Sequence, residues 1–175
     1  MAFLFDSSDN ITLADNAALT FPDADWAIGG WVKFSSRTGT TARNLWTWGS
    51  GYSSHTQLRV GDASHASFPD DINIFFIDDD GTNITFSTGA NEFQSNTAWT
   101  HILVERTGTT IAIYKNGTQT GSGSNASLDA LNAGASFKLG NNAYNNGTFL
   151  GDMAEWAKWD RALTTAEKAG LAVGY

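Results

Sequence analysis

Cysteine is absent from the 175 residues. Disulfides and thiolate metal sites are therefore excluded, and the absence suits a bacterial or viral protein made in a reducing cytoplasm. Basic residues are few: 10 Lys and Arg stand against 18 Asp and Glu, a net charge of -8, with no run of cations. Nucleic acid and anionic membrane surfaces are disfavoured as partners, because both need clustered positive charge. No stretch approaches the roughly 18 apolar residues of a membrane span, so membrane insertion is not expected. The opening Ala2-Phe3-Leu4-Phe5 is too short for a signal h-region and has no basic n-region before it. The chain is therefore expected to begin at its own first strand.

Proline occurs twice and glycine 18 times, with Thr, Ser and Asn abundant. Short apolar runs alternate with turn clusters, the pattern of an all-β sandwich or barrel. Strands are predicted over residues 3–5, 11–13, 26–34, 44–49, 56–60, 72–77, 83–87, 99–106, 110–115, 118–121, 136–139 and 149–159. Asp79-Asp80-Gly81 and Thr107-Gly108 read as hairpin turns, and Asn116-Gly117 as a third turn. One helix is predicted after Leu163, where Thr164 and Glu167 have the spacing of a capping box and Gly174 can end it. No linker or repeat divides residues 1–175, which read as a single domain.

Three stretches, in order, carry a resemblance. Phe5-Asp6-Ser7-Ser8-Asp9-Asn10-Ile11 is similar to F-D-G-x-D-D-Y. Trp99-Thr100-His101-Ile102 through Tyr114-Lys115-Asn116-Gly117 is similar to W-x-H-V … Y-x-N-G. Gly151-Asp152-Met153-Ala154-Glu155-Trp156 through Asp160-Arg161-Ala162-Leu163-Thr164 is similar to G-x-I-D-E-V-R-I-Y-N-R-A-L-S. Together they resemble the laminin-G-like, concanavalin A-like jelly rolls. That resemblance implies a two-sheet antiparallel jelly-roll sandwich with one short C-terminal helix. It also implies a structural Ca²⁺ in some members, with Asp6, Asp9 and Glu155 at the matching acidic positions. Ala154 stands where the family has a further Asp, and a calcium site that wants six to eight oxygens is weakened by that loss. The alternative for Asp6 and Asp9 is a simple Asx-type turn. No cofactor is required by anything else in the sequence.

Glucanases share this fold, so paired carboxylates are the enzyme test. Asp152 and Glu155 are three apart, which on a regular strand places them on opposite faces. Asp152 and Asp160 share a face but lie about 27 Å apart at ~3.4 Å per residue. No G-x-S-x-G, H-E-x-x-H or P-loop pattern occurs. His55, His65 and His101 have no ligand spacing, and His101 reads as a satisfied sandwich histidine. The protein is expected not to be an enzyme.

The aromatics remain. Trp46 and Trp48 share one strand face, and Tyr52 to His55 follow Gly49-Ser50-Gly51. Trp46, Trp48, Tyr52 and His55 are the candidate ligand contacts, by ring stacking on a glycan; core packing is the alternative for the tryptophans. The expected function is surface binding or assembly. Two settings fit: a bacteriophage virion component, docked on a capsid or fibre and released by lysis, with glycan adhesion as an added role; or a carbohydrate-binding lectin domain of a bacterial or extracellular protein.

Overall fold

In the computed structural model, residues 1–6, 9–35, 38–49, 55–67, 69–77, 81–89, 92–93, 98–128, 136–141 and 147–174 are described. Twelve strands form two six-stranded sheets, and every named strand pair is antiparallel. The first sheet contains β1 (Ala2–Phe5), β12 (Gly151–Trp159), β3 (Trp26–Phe34), β8 (Thr100–Thr107), β9 (Thr110–Lys115) and β10 (Thr118–Ser124), in that spatial order. The second contains β2 (Ile11–Leu13), β11 (Phe137–Leu139), β4 (Ala42–Gly49), β5 (His55–Gly61), β6 (Ile72–Ile77) and β7 (Asn83–Ser87). The expected sandwich is what the chain forms.

Period-two alternation builds the core. Ile28, Val32, Ile102, Val104, Ile111 and Met153 point inward from the first sheet; Leu58, Val60, Ile72, Ile74, Phe76 and Phe137 meet them from the second. Phe21 sits between the sheets. It stacks on Trp46 at 5.3 Å and meets Trp26 edge-on at 4.9 Å. Trp26 in turn reaches Phe76 of the opposite sheet at 6.3 Å.

The W-x-H … N-G stretch has a structural job. Asn116 adopts a left-handed φ of 49°, a conformation Asn tolerates. Its Oδ1 accepts the His101 N–H at 2.8 Å while its own N–H donates to the His101 carbonyl at 2.9 Å. That closes the edge left where β9 turns into β10. Asp79 and Asp80 of the expected Asp79-Asp80-Gly81 turn lie outside the described residues; Gly81 has a left-handed φ of 85°, and the β6–β7 pairing holds through Ile77 and Asn83.

The helix α1 (Thr165–Leu171) carries the expected capping box: Thr164 Oγ1 accepts the Glu167 N–H, and Glu167 accepts the Thr164 N–H at 2.8 Å. Leu163 and Leu171 pack with Ala27, Leu103, Tyr114 and Trp159, which cover the outer face of the first sheet. A fully buried leucine contributes about 1.5–3 kcal/mol, so this small second core suffices to seat a seven-residue helix. The buried Glu105 fixes it further, accepting the Leu163 N–H at 2.6 Å and pairing with Lys168.

His101 on the same face is buried beside Trp31, whose ring lies 5.4 Å away. Burial disfavours its charged form and lowers its pKa from 6.5 to about 4. A histidine whose folded pKa is depressed stabilises the native state fully above its unfolded pKa. It loses that contribution as pH falls from about 6.5 to about 4. The expected loss is about 2–3 kcal/mol. His65, pushed down by partial desolvation and then by Arg59, adds in the same direction. Glu167, held at about 2 by its bonds with Arg161 and Thr164, extends the loss below pH 4.5. Urea midpoints measured from pH 7 to 4 should fall, and His101→Gln should flatten most of that slope. An unchanged slope would contradict the assignment.

Candidate binding face

The two outer faces of the sandwich differ. The first sheet's is occupied by α1. All twelve strands belong to the sheets, and Leu19 of the short 3-10 turn Ala17–Leu19 packs into the core. Among the described residues no helix or strand is therefore left to cover the outer face of the second sheet.

That face follows from register. Ile72, Ile74 and Phe76 point in, so Asn73, Phe75 and Ile77 point out. The Cα partners then define a row across all six strands: Thr12, Lys138, Thr47, Gln57, Phe75 and Thr85. A second row holds Asn44, Arg59, Asn73 and Ser87, and a third His55, Ile77 and Asn83. Gln57, Arg59, Phe75, Ile77 and Lys138 are half-buried, while Thr12, Asn83, Thr85 and Ser87 are exposed.

The Phe75 ring lies on β6, next to the edge strand β7. The Arg59 guanidinium lies over it at 5.2 Å, and the His55 ring is 5.6 Å away. Arg59 Nε donates to Asn73 Oδ1 at 2.8 Å, and Asn73 Nδ2 donates to Ser87 Oγ at 2.9 Å. Three strands thus hold one side-chain network, which fixes the guanidinium against the ring. Thr47 lies mid-row and is buried, and its hydroxyl has no hydrogen-bond partner among the described residues. The result is an apolar ring edged by amide, hydroxyl and guanidinium groups. Such a surface can stack a sugar ring and bond its hydroxyls.

The sequence-derived contacts fare differently. Trp46 and Trp48 share a face as expected, but it is the inner one; both are 0% exposed, so their rings cannot meet a ligand. The reason is the neighbouring strand, where Leu58 and Val60 fill the same side and extend the core over both indoles. His55 lies on the outer face but is itself buried. Tyr52 lies outside the described residues. Phe75, Gln57, Arg59 and Lys138 were missed. Their signal was present in Asn73 and Arg59, polar residues that mark the outward parity of β6 and β5.

The calcium candidates do not converge. Asp9 Oδ2 accepts the Asp6 N–H at 3.1 Å, and the Asp9 N–H donates to the Asp6 carbonyl at 3.3 Å, the Asx-type turn. Glu155 is exposed on a bulge between Ala154 and Ala157, with φ of 54°. Among the described residues no three His, Asp or Glu side chains are grouped as metal ligands. These residues do not fit a site for six to eight oxygens. The bulge also interrupts the simple alternation that separated Asp152 from Glu155; Asp152 instead faces Lys33 at 3.7 Å. Gly30 makes room beyond the bulge, because a Cβ there would meet the Trp156 ring at 2.6 Å. Left-handed φ costs an L-residue about 1–2 kcal/mol. Glu155→Gly is therefore expected to hold or raise stability by up to about 1 kcal/mol, equally with calcium and with chelator. A calcium-dependent melting temperature that Glu155→Gly abolishes would overturn this.

At the open edge of the sandwich a groove of about 220 Å³ is lined by Phe3, Phe5, Ile11, Leu139, Met153 and Trp156 with Ala154 and Glu155. It is apolar and lacks the convergent polar groups of the outer face.

Comparison with known proteins bears on this geometry. No curated protein sequence matches the chain. Domain 4 of AbnA, an extracellular GH43 arabinanase from Geobacillus stearothermophilus solved with arabinotriose, is similar in structure, with a TM-score of 0.74 and 20% identity over 98% of this chain and 76% of that one. The binding domain of Paraclostridial Mosquitocidal Protein 1 is similar at TM-score 0.73 and 17% identity, over 98% of this chain and 42% of that one. The binding domain of botulinum neurotoxin serotype G is similar at TM-score 0.73 and 14% identity, over 98% and 41%. The chain thus spans about two fifths of the toxin binding domains it matches. The family described as the concanavalin A-like lectin/glucanases superfamily matches residues 5–167, nearly the whole sandwich from Phe5 to the capping residue Glu167, and the chain belongs to that family.

Proposed function

We propose that this chain is a non-enzymatic carbohydrate-binding module that holds a saccharide on the outer face of its second sheet. The observation that carries the reading is the half-buried Phe75 ring, set among hydrogen-bonding side chains on the face opposite the sheet that α1 covers. The toxin binding domains and the arabinotriose-bound domain that share the fold support a binding role. The ion pair of Asp152 with Lys33 at 3.7 Å supports the absence of hydrolysis.

Phe75→Ala is the test. Stacking on one aromatic ring contributes about 0.5–1.5 kcal/mol beyond the area it buries, so affinity for the best saccharide on a glycan array should fall by about twofold to tenfold or more. The melting temperature should change little. Unchanged affinity in the variant would refute the site, and release of reducing sugar by the wild type would refute the non-enzymatic reading.

The narrower setting, also proposed, is a bacteriophage particle: a capsid decoration or fibre-associated protein, located on the virion. It is supported by the acidic, cysteine-free composition and the Gly-Asn-Thr-rich loops of a binding domain. Display in many copies would let weak contacts add through avidity. Mass spectrometry of purified particles decides it, and absence of the chain from them would leave a cellular lectin domain.

A further inference from the structure

The charges of the two sheets are unequally distributed. The six strands of the second sheet contain Arg43, Arg59, Lys138 and His55, and no Asp or Glu, in a chain of 18 acidic residues and net charge -8. Arg43 is spoken for: its Nη2 meets Asp62 at 2.9 Å, and Asp62 is fully buried. Arg59 and Lys138 both lie on the outward rows defined above. Asp62, the carboxylate nearest Arg59 in sequence, is the buried partner of Arg43, and Asp71 is buried just before β6. The strands of the first sheet, by contrast, mix both signs: Glu105, Asp152 and Glu155 stand beside Lys33, Arg106, Lys115 and Lys158.

We infer that the outer face of the second sheet selects anionic saccharides, with Arg59 beside Phe75 and Lys138 three strands farther along the same row meeting carboxylate or sulfate groups of a saccharide that stacks on the ring. The inference rests on the carbohydrate-binding reading above and adds the chemical class of its ligand. Lys138 and Arg59 are two strands and one row apart, about 12 Å between Cα atoms at ~4.8 Å per strand and ~3.4 Å per residue. That span is about the length of a disaccharide, and Thr47 and Gln57 lie between the two cations. Guanidinium suits a planar carboxylate or sulfate because its fork matches two oxygens at once. The Asn73–Ser87 network orients that fork in advance.

The experiment titrates wild type, Arg59→Gln, Lys138→Gln and Phe75→Ala against three probes of equal length. These are an oligogalacturonate, a sulfated oligosaccharide and an uncharged arabino-oligosaccharide. Titrations run at about 0.05 M and about 0.5 M salt, across which the screening length falls severalfold. The expected result is at least tenfold tighter binding of an anionic probe than of the uncharged one, an advantage that shrinks at high salt. Each cation variant should reduce that advantage, while Phe75→Ala weakens every probe. Whether the uronate or the sulfate binds more tightly identifies the source of the anion, and either supports the inference. Equal binding of charged and uncharged probes, still lost in Phe75→Ala, overturns the anionic preference and leaves the carbohydrate site standing. No binding of any saccharide, on these probes or an array, overturns both. Should Arg59→Gln melt early, Lys138→Gln and the salt dependence of the wild type decide the question.

Discussion

Trp46→Ala is expected to lower stability by about 3–5 kcal/mol, the usual cost of truncating a fully buried tryptophan. Trp46 is 0% exposed, stacks on Phe21 at 5.3 Å and lies 6.0 Å from Phe137, so its removal opens a void where both sheets and the Phe21 loop meet. For a domain of this size the melting temperature should drop by about 6–20 °C. Trp46→Phe should cost far less, because the indole Nε1 has no hydrogen-bond partner to lose. Thermal melts of the two variants check this. A stable Trp46→Ala protein with weakened glycan binding would instead return the indole to the surface and refute the packing described here.

Glu105→Ala is expected to cost about 3 kcal/mol, toward the lower end for breaking a buried ion pair because Lys168 keeps some exposure. Glu105 has two duties. Its Oε2 accepts the Leu163 N–H just before the helix, and its Oε1 pairs with Lys168 on it. Lys168 also donates to the Tyr114 hydroxyl at 3.0 Å and lies 4.4 Å over that ring. Burial alone would lower the Lys168 pKa, yet Glu105 and Tyr114 hold it above its ordinary value. Without Glu105 the ammonium and the Leu163 amide lose their shared partner. The helix should detach from the first sheet before the sandwich unfolds, visible as amide exchange at residues 163–171 in Glu105→Ala. Lys168→Met, which leaves the more deeply buried Glu105 carboxylate without its cation, should cost a similar amount. Protection of α1 unchanged in Glu105→Ala would contradict this account.

Much of the architecture was legible in sequence because local chemistry and long-range packing agree. The turn signals at Thr107-Gly108 and Asn116-Gly117 sit where the hairpins turn, and the Thr164–Glu167 box starts the helix it predicted. Strands Trp26–Phe34, Ile72–Ile77 and Asn83–Ser87 run as read. The site was less legible. Parity placed Trp46 and Trp48 together, but one strand cannot say which of its faces is inside; Leu58 and Val60 on the neighbouring strand decide that. Phe75 hides in Ile74-Phe75-Phe76-Ile77, an unbroken apolar run in which only Asn73 fixes the parity. The bulge at Glu155 was hidden for a different reason. No glycine marks it, and Glu155 bears the left-handed φ itself.

The central claim is that the outer face of the second sheet, and not the tryptophan-bearing strand face or the edge groove, binds saccharide. The most direct measurement is the amide and side-chain NMR shift map of the wild type titrated with its best saccharide ligand. The account predicts the largest shifts at Gln57, Arg59, Asn73, Phe75, Thr85 and Lys138. Shifts confined to Phe3, Ile11, Glu155 and Trp156 at the open edge, with the second sheet silent, would contradict it.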